Sequence, residues 1–288
     1  MKSAPKSILL KILHFPLTRI IIGTAILVAV PTLVNKWILK PVLSEIIPNE
    51  STEQVIRWTL SIFVLIFVYV FLFKIYERRS ISEFAIRYAG RENLIGFIAG
   101  GLLVGGIILV LLISGSISFT VLNPATIIFK PLILFILLAL GEEIIFRGIL
   151  YRITEQSLGT WIALIISALL FGIVHITNDH ADFLGLLSAA LAGVMLGVLY
   201  TISGRLWYPL AIHVGWNFFQ YFFGLPVSGL DDFEYFMDAS REGPEWLIGG
   251  GFGIENSMLT ILMILGLSAF LIYRIRITGK FVKPFWKK

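Results

Sequence analysis

Hydrophobic residues run through this chain in long unbroken blocks separated by short polar stretches. Eight such blocks stand at roughly 17–34, 56–75, 94–113, 125–146, 160–177, 184–201, 208–223 and 257–273. A helix crosses the hydrocarbon core with about 20 mostly apolar residues. A membrane barrel would instead show strands of about ten residues that alternate polar and apolar positions, and these blocks are continuous. The pattern predicts an all-α polytopic membrane protein: about eight transmembrane helices in one multi-pass domain over 1–288, without an internal repeat of the kind many transporters show.

Composition removes the alternatives. Of 288 residues, 57% are hydrophobic and 14% charged, and the mean hydropathy is +0.90. A soluble domain carries about 25% charged residues, so this chain could not cover a water-exposed surface. The absence of cysteine excludes disulfides, thiolate metal sites and cysteine nucleophiles.

The basic residues predict a topology rather than a nucleic-acid surface. With the N-terminus inside, eighteen of the 23 lysines and arginines fall on inner segments, from Lys2, Lys6, Lys11 and Arg19 to a tail ending at Lys288; Lys36, Lys40, Arg57 and Arg241 fall outside, and Lys130 within a block. That asymmetry follows the positive-inside rule and places both termini in the cytoplasm. No small-residue cleavage site follows the first block, which is expected to stay as an anchor. The segment 224–256 becomes an acidic extracytoplasmic loop, with Asp231, Asp232, Glu234, Asp238, Glu242, Glu245 and Glu255 against Arg241. A solvated cap is the favoured reading of it and a lid the sharper one; Gly249, Gly250 and Gly251 imply local flexibility.

Ionisable residues inside spans cost about 2.5–3.5 kcal/mol at a helix centre, so each needs a reason. In the fourth block Glu143 and Arg147 are four apart and form an ion pair on one face. Glu142 points about 100° away and is left available. A carboxylate in low-dielectric surroundings suits general acid–base work near neutral pH. The fifth block ends at His175, with Phe171 one turn earlier to wall a pocket; the seventh carries His213 and Asn217 on one face. Taken singly these polar groups read as anchors or interhelical glue. Together they form a hydrolytic set with water as nucleophile, because no serine or threonine has an adjacent base. Upright helices would keep His175 and His213 at different depths. Smaller signals read as structural: Gly101 with Gly105 and Gly193 with Gly197 as close-packing pairs, Thr177 to Asp182 as a capped polar turn rather than a surface metal site, Lys130 as a snorkelling side chain and His14 as an interfacial anchor.

Glu142-Glu143-x-x-x-Arg147, Phe171-x-x-x-His175 and His213-x-x-x-Asn217 resemble the three motifs of the CPBP intramembrane proteases. These are the CAAX proteases and bacteriocin-processing enzymes, also called Abi, and they include the type II CAAX prenyl endopeptidases. The resemblance covers about 132–223 and makes 125–223 the catalytic core. It implies an intramembrane endopeptidase cutting near the cytoplasmic face. By it, Glu142 activates water with His175, His213 and Asn217 stabilise the oxyanion, and Glu143 and Arg147 hold the site together. Glu142, His175 and His213 also have the composition of a catalytic zinc site. A metal-independent glutamate mechanism, without a cofactor, is favoured over zinc. The expected partner is a membrane-anchored or prenylated protein or peptide, the expected location a bacterial cell membrane. A proton-coupled transporter and a catalytically idle partner-binding protein are the rival readings.

Overall fold

A computed structural model describes residues 8–287; Lys2, Lys6 and Lys288 lie outside the described residues. A short helix α1 (Ile8–Leu13) leads into α2 (Pro16–Val34), which opens with proline at its first turn and runs through a π-helical stretch into α3 (Lys40–Ile46). Next comes α4 (Glu50–Tyr76), started by Asn49, whose side chain accepts the Thr52 amide at 2.9 Å. After α5 (Ile86–Ile113) and strand β1 (Ile117–Leu122) comes α6 (Phe129–Glu143), which continues through a second π stretch, Ile144–Tyr151, into α7 (Arg152–Leu158). The helices α8 (Thr160–Val174), α9 (Phe183–Ser203) and α10 (Trp207–Phe222) follow closely. Strand β2 (Met237–Arg241) and helix α11 (Glu245–Ile248) lie in the long loop before α12 (Met258–Ile277).

Helices stand at all eight positions that the hydropathy blocks predict. Among the described residues six stretches are long and apolar enough to cross a membrane: Pro16–Ile46, Glu50–Tyr76, Ile86–Ile113, Thr160–Thr177, Phe183–Ser203 and Met258–Ile277. The other two, α6 and α10, are shorter; α6 carries Glu142 and Glu143, and α10 carries His213 and Asn217. Large apolar side chains such as Phe63, Phe67, Leu102, Leu169 and Phe270 are exposed on the helices, a surface that only lipid covers favourably. The protein is an all-α polytopic membrane protein with one qualification. Strands β1 and β2 pair antiparallel, Ile117 opposite Arg241, with an irregularity between Phe119 and Val121.

Glycines set how closely the motif-bearing helices approach their neighbours. A Cβ on Gly100 would lie 2.5 Å from the Ile212 carbonyl oxygen, and one on Gly215 would lie 2.4 Å from that of Phe97. Backbone therefore meets backbone where α5 crosses α10, immediately around His213. The expected pair Gly101 and Gly105 is only half right: Gly101 packs on the Phe219 ring, while nothing lies within 4 Å of a Cβ on Gly105. Gly193 of α9 sits on Ala168 and Phe171 of α8, and Gly197 on Leu164 and Tyr151. Gly215→Val must push α10 off α5. The expected cost is about 1–3 kcal/mol for an overpacked interior, read as a lowered thermal midpoint in detergent.

One end of the bundle is held by charge. Arg19, Arg79 and Arg152 converge on Glu77 at 2.6, 2.8 and 2.8 Å, and Arg79 also reaches Glu83 at 2.8 Å. Arg152 and Tyr69 both donate to the Gly148 carbonyl, at 2.7 and 3.1 Å, which satisfies a backbone acceptor in the wide π turn. Burial alone would raise the Glu77 carboxyl. Hydrogen bonds and charge from Arg152 and Arg19 outweigh it and hold that carboxyl at about 2, against an ordinary 4.5. A carboxylate depressed in this way stabilises the fold above its ordinary value, and the contribution is lost as pH falls through the depressed one. Thermal midpoints should therefore drop on acidification from pH 4.5 towards about 2, and Glu77→Gln should flatten that drop.

Candidate active site

The chain brings the fourth-block acids and the seventh-block histidine into direct contact. Glu143 and Arg147, one turn apart where α6 passes into the π stretch, pair at 2.8 Å and are both 0% exposed. Arg147 also donates to the Gly193 carbonyl at 3.2 Å, and its guanidinium lies 4.4 Å from the Phe171 ring centre. Glu143 has a second partner that its spacing to Arg147 did not suggest: His213 Nδ1 stands 3.0 Å from the same Oε1. With Nδ1–H donating to that carboxylate, the other ring nitrogen, Nε2, faces Glu142 Oε2 at 3.8 Å. Glu142 lies off the Glu143–Arg147 pair as its position on the helix requires. Its side chain is 36% exposed, and its Oε2 is buried with no hydrogen-bond partner among the described residues.

His175 closes α8 and opens the short 3₁₀ turn His175–Thr177. Its Nδ1–H donates to the Phe171 carbonyl at 2.6 Å, so Nε2 is the free acceptor. The Phe171 ring lies 4.9 Å from the His175 ring and 6.2 Å from that of His213. One aromatic side chain thus separates the two imidazoles and carries Arg147 on its face. The depth mismatch expected for upright helices does not arise, because both histidines line one cavity between α8, α9, α10 and α12. It offers about 50 Å³, which holds about three waters at ~15 Å³ each. Asn217 is one turn from His213 and 9% exposed, but it is not among the residues lining that cavity.

The same cavity is lined by an acid from the loop 224–256. Glu255 lines the cavity together with Ser228 and Trp216 and is 9% exposed. The loop that carries it folds back onto the bundle, with Phe252, Ile254, Asn256 and Ser257 buried. Six of the loop's acids, Asp231, Asp232, Glu234, Asp238, Glu242 and Glu245, are exposed, while the apolar residues Phe252 and Ile254 give the end of the loop a face to bury. Gly249 and Gly250, both at positive φ, turn the chain there. Asp182 caps α9 through the Gly185 amide at 2.9 Å and accepts from Asn256 at 2.9 Å, the structural use expected of that polar turn. Lys130 lies over the Trp58 ring at 5.9 Å, and His14 packs on Tyr76.

A zinc ion on Glu142, His175 and His213 would need three donor atoms about 2.0–2.2 Å from one point. Among the described residues no three histidine, aspartate or glutamate side chains gather in that way. Glu142 and His213 approach each other, but His175 is turned to its own helix carbonyl. The side chains present do not fit a three-ligand metal centre.

Comparison with known proteins bears on the same segment. Residues 124–219 match the family model described as Type II CAAX prenyl endopeptidase Rce1-like. A protein named "Putative membrane peptidase YdiL" from Bacillus subtilis (strain 168) is 30% identical over 111 residues, which is 38% of this chain. The match spans 41% of that relative's length. No solved structure matches the chain. The matched stretch holds Glu142, Glu143, Arg147, Phe171, His175, His213 and Asn217, so over residues 124–219 the chain is similar to the Rce1-like type II CAAX prenyl endopeptidase family.

Proposed function

We propose that the protein is an intramembrane endopeptidase that hydrolyses a peptide bond of a membrane-associated protein or peptide, with water as nucleophile. The observation that carries the reading is the approach of Glu142 Oε2 to His213 Nε2, 3.8 Å apart, beside a carboxylate already neutralised by arginine. A carboxylate with one buried, unpartnered oxygen is a suitable acceptor for a water proton. Glu142 takes that proton as the water oxygen attacks the carbonyl carbon, and returns it to the leaving nitrogen. His175, its Nδ1–H spent on the Phe171 carbonyl, orients the water through Nε2. His213 in its doubly protonated form, held between Glu143 and Glu142, donates Nε2–H to the developing oxyanion, with Asn217 as the second donor after a side-chain rotation. Each such donor contributes about 2.7–4 kcal/mol to the transition state. Glu143 and Arg147 fix the His213 ring and the start of the π stretch.

The small cavity excludes a bulky group, so a substrate's apolar anchor lies elsewhere. We assign it to the apolar groove of about 520 Å³ lined by Ile66, Leu94, Phe97, Ile136, Leu140 and Val214. Leu140 and Val214 adjoin the acidic pair and His213 in sequence. A membrane-tethered chain, prenylated or helical, could reach the site along it from the bilayer. The basic end of the bundle is read as cytoplasmic and the membrane as a bacterial cell membrane. In proteoliposomes given a peptide library, the purified chain should generate new peptide termini, and a metal chelator should leave that cleavage intact. Stoichiometric zinc whose removal abolishes cleavage would reverse the glutamate assignment.

A further inference from the structure

Glu255 lies far from the motif residues in sequence and is the only carboxylate among the described residues lining the cavity. Its two oxygens are taken from two directions. Trp216 Nε1 and Gln220 Nε2, both on α10, donate to Oε1 at 2.8 and 2.9 Å. The Ser228 hydroxyl donates to Oε2 at 2.5 Å. Ser228 belongs to a tight turn and has φ +49°, a left-handed conformation uncommon for a residue with a Cβ. Its carbonyl accepts the side-chain amide of Asn178 at 2.9 Å. The backbone amide of Asn178 in turn donates to the His175 carbonyl at 3.1 Å. A continuous chain of hydrogen bonds therefore runs from the turn of α10 that follows His213, through Glu255 and Ser228, to the turn that carries His175.

The carboxylate has no ion-pair partner among the described residues, and three neutral donors hold it. The turn Ile254–Asn256 that presents it is anchored on both sides. Asn256 donates to Asp182, and Ser257 caps α12 through the Thr260 amide at 3.2 Å. We propose that Glu255 is a positioning residue for the reaction. Its buried carboxylate ties the α10 turn to the α8 terminus and so sets the separation of His175 and His213 across the cavity. The role in catalysis rests on the endopeptidase reading, while the brace itself does not. Glu255 acts through the two histidines and touches no reacting atom.

The test reads the histidines directly. In the full-length detergent-solubilised chain, diethyl pyrocarbonate acylates accessible unprotonated imidazoles, and mass spectrometry follows His14, His175, His180 and His213 separately. Glu255→Ala should speed modification of both His175 and His213 several-fold, with His14, at Tyr76, as the unchanged reference. Ser228→Ala cuts only the His175 arm. It should speed His175 several-fold and leave His213 unchanged, a split that a general loosening would not produce. On any peptide that the wild-type chain cleaves, Glu255→Ala should lower kcat by up to about 100-fold through misplacement while KM holds. Unchanged rates at His175 and His213 in folded Glu255→Ala and Ser228→Ala overturn the proposal, as does a uniform rise at all four histidines. If the labelling splits as expected but the wild-type chain cleaves nothing, the brace stands and the endopeptidase reading falls.

Discussion

Glu142→Gln is expected to abolish cleavage while leaving the helix bundle intact. Glutamine keeps the shape of the side chain and loses its ability to take a proton. A positioned general base contributes about 10²–10⁴ in rate, and no other group at the site replaces it. Glu143 Oε1 is held by Arg147 at 2.8 Å and by His213 at 3.0 Å, and its carboxylate is fully buried, with Oε2 having no hydrogen-bond partner among the described residues. His175 is the remaining acceptor, but its ring is held by its own helix. Glu142 makes no hydrogen bond that the fold depends on, so the thermal midpoint of the variant should match that of the wild-type chain. Loss of cleavage together with loss of folding would point to a structural role instead.

The second large effect is on stability and separates the two jobs of Glu143. Arg147→Met takes from a fully buried carboxylate its arginine partner, and breaking a buried pair in this way costs about 3–5 kcal/mol. Glu143→Leu combined with Arg147→Met replaces both charges by apolar side chains of similar size. That exchange is often neutral for a buried pair, so the double variant should recover most of the lost stability. It should not recover cleavage, because His213 then loses the acceptor that orients its ring. Thermal melts and cleavage assays on the single and double variants check both halves. Recovered activity in the double variant would show that Glu143 serves folding alone.

The helices and the motif residues were legible because both leave local signals. A span announces itself as an apolar run, and a charge inside such a run stands out by its cost. The Glu143–Arg147 pair follows from helical spacing alone, and so does the separate direction of Glu142. What the spacing hid was the meeting of segments. His213 lies 70 residues from Glu143, and no periodicity links them. The common location of His175 and His213 depends on Phe171 and on glycine contacts that let α8 and α9 close up. Hydropathy along one strand of sequence does not contain that geometry. Glu255 was one acid among seven in a polar loop, and the apolar Phe252 and Ile254 beside it do not say which wall of the bundle it meets. The convergence of Arg19, Arg79 and Arg152 on Glu77 was hidden differently, because the positive-inside pattern accounts for those arginines before any partner is sought.

The claim that this site cuts peptide bonds can be tested without knowing the substrate. Membranes from cells expressing the wild-type chain and from cells expressing Glu142→Gln at equal levels are compared by sequencing all new protein termini. The account predicts at least one membrane-associated protein with a cleaved terminus that is present with the wild-type chain and absent with Glu142→Gln. Identical sets of termini in the two membranes, with both proteins folded, would contradict it.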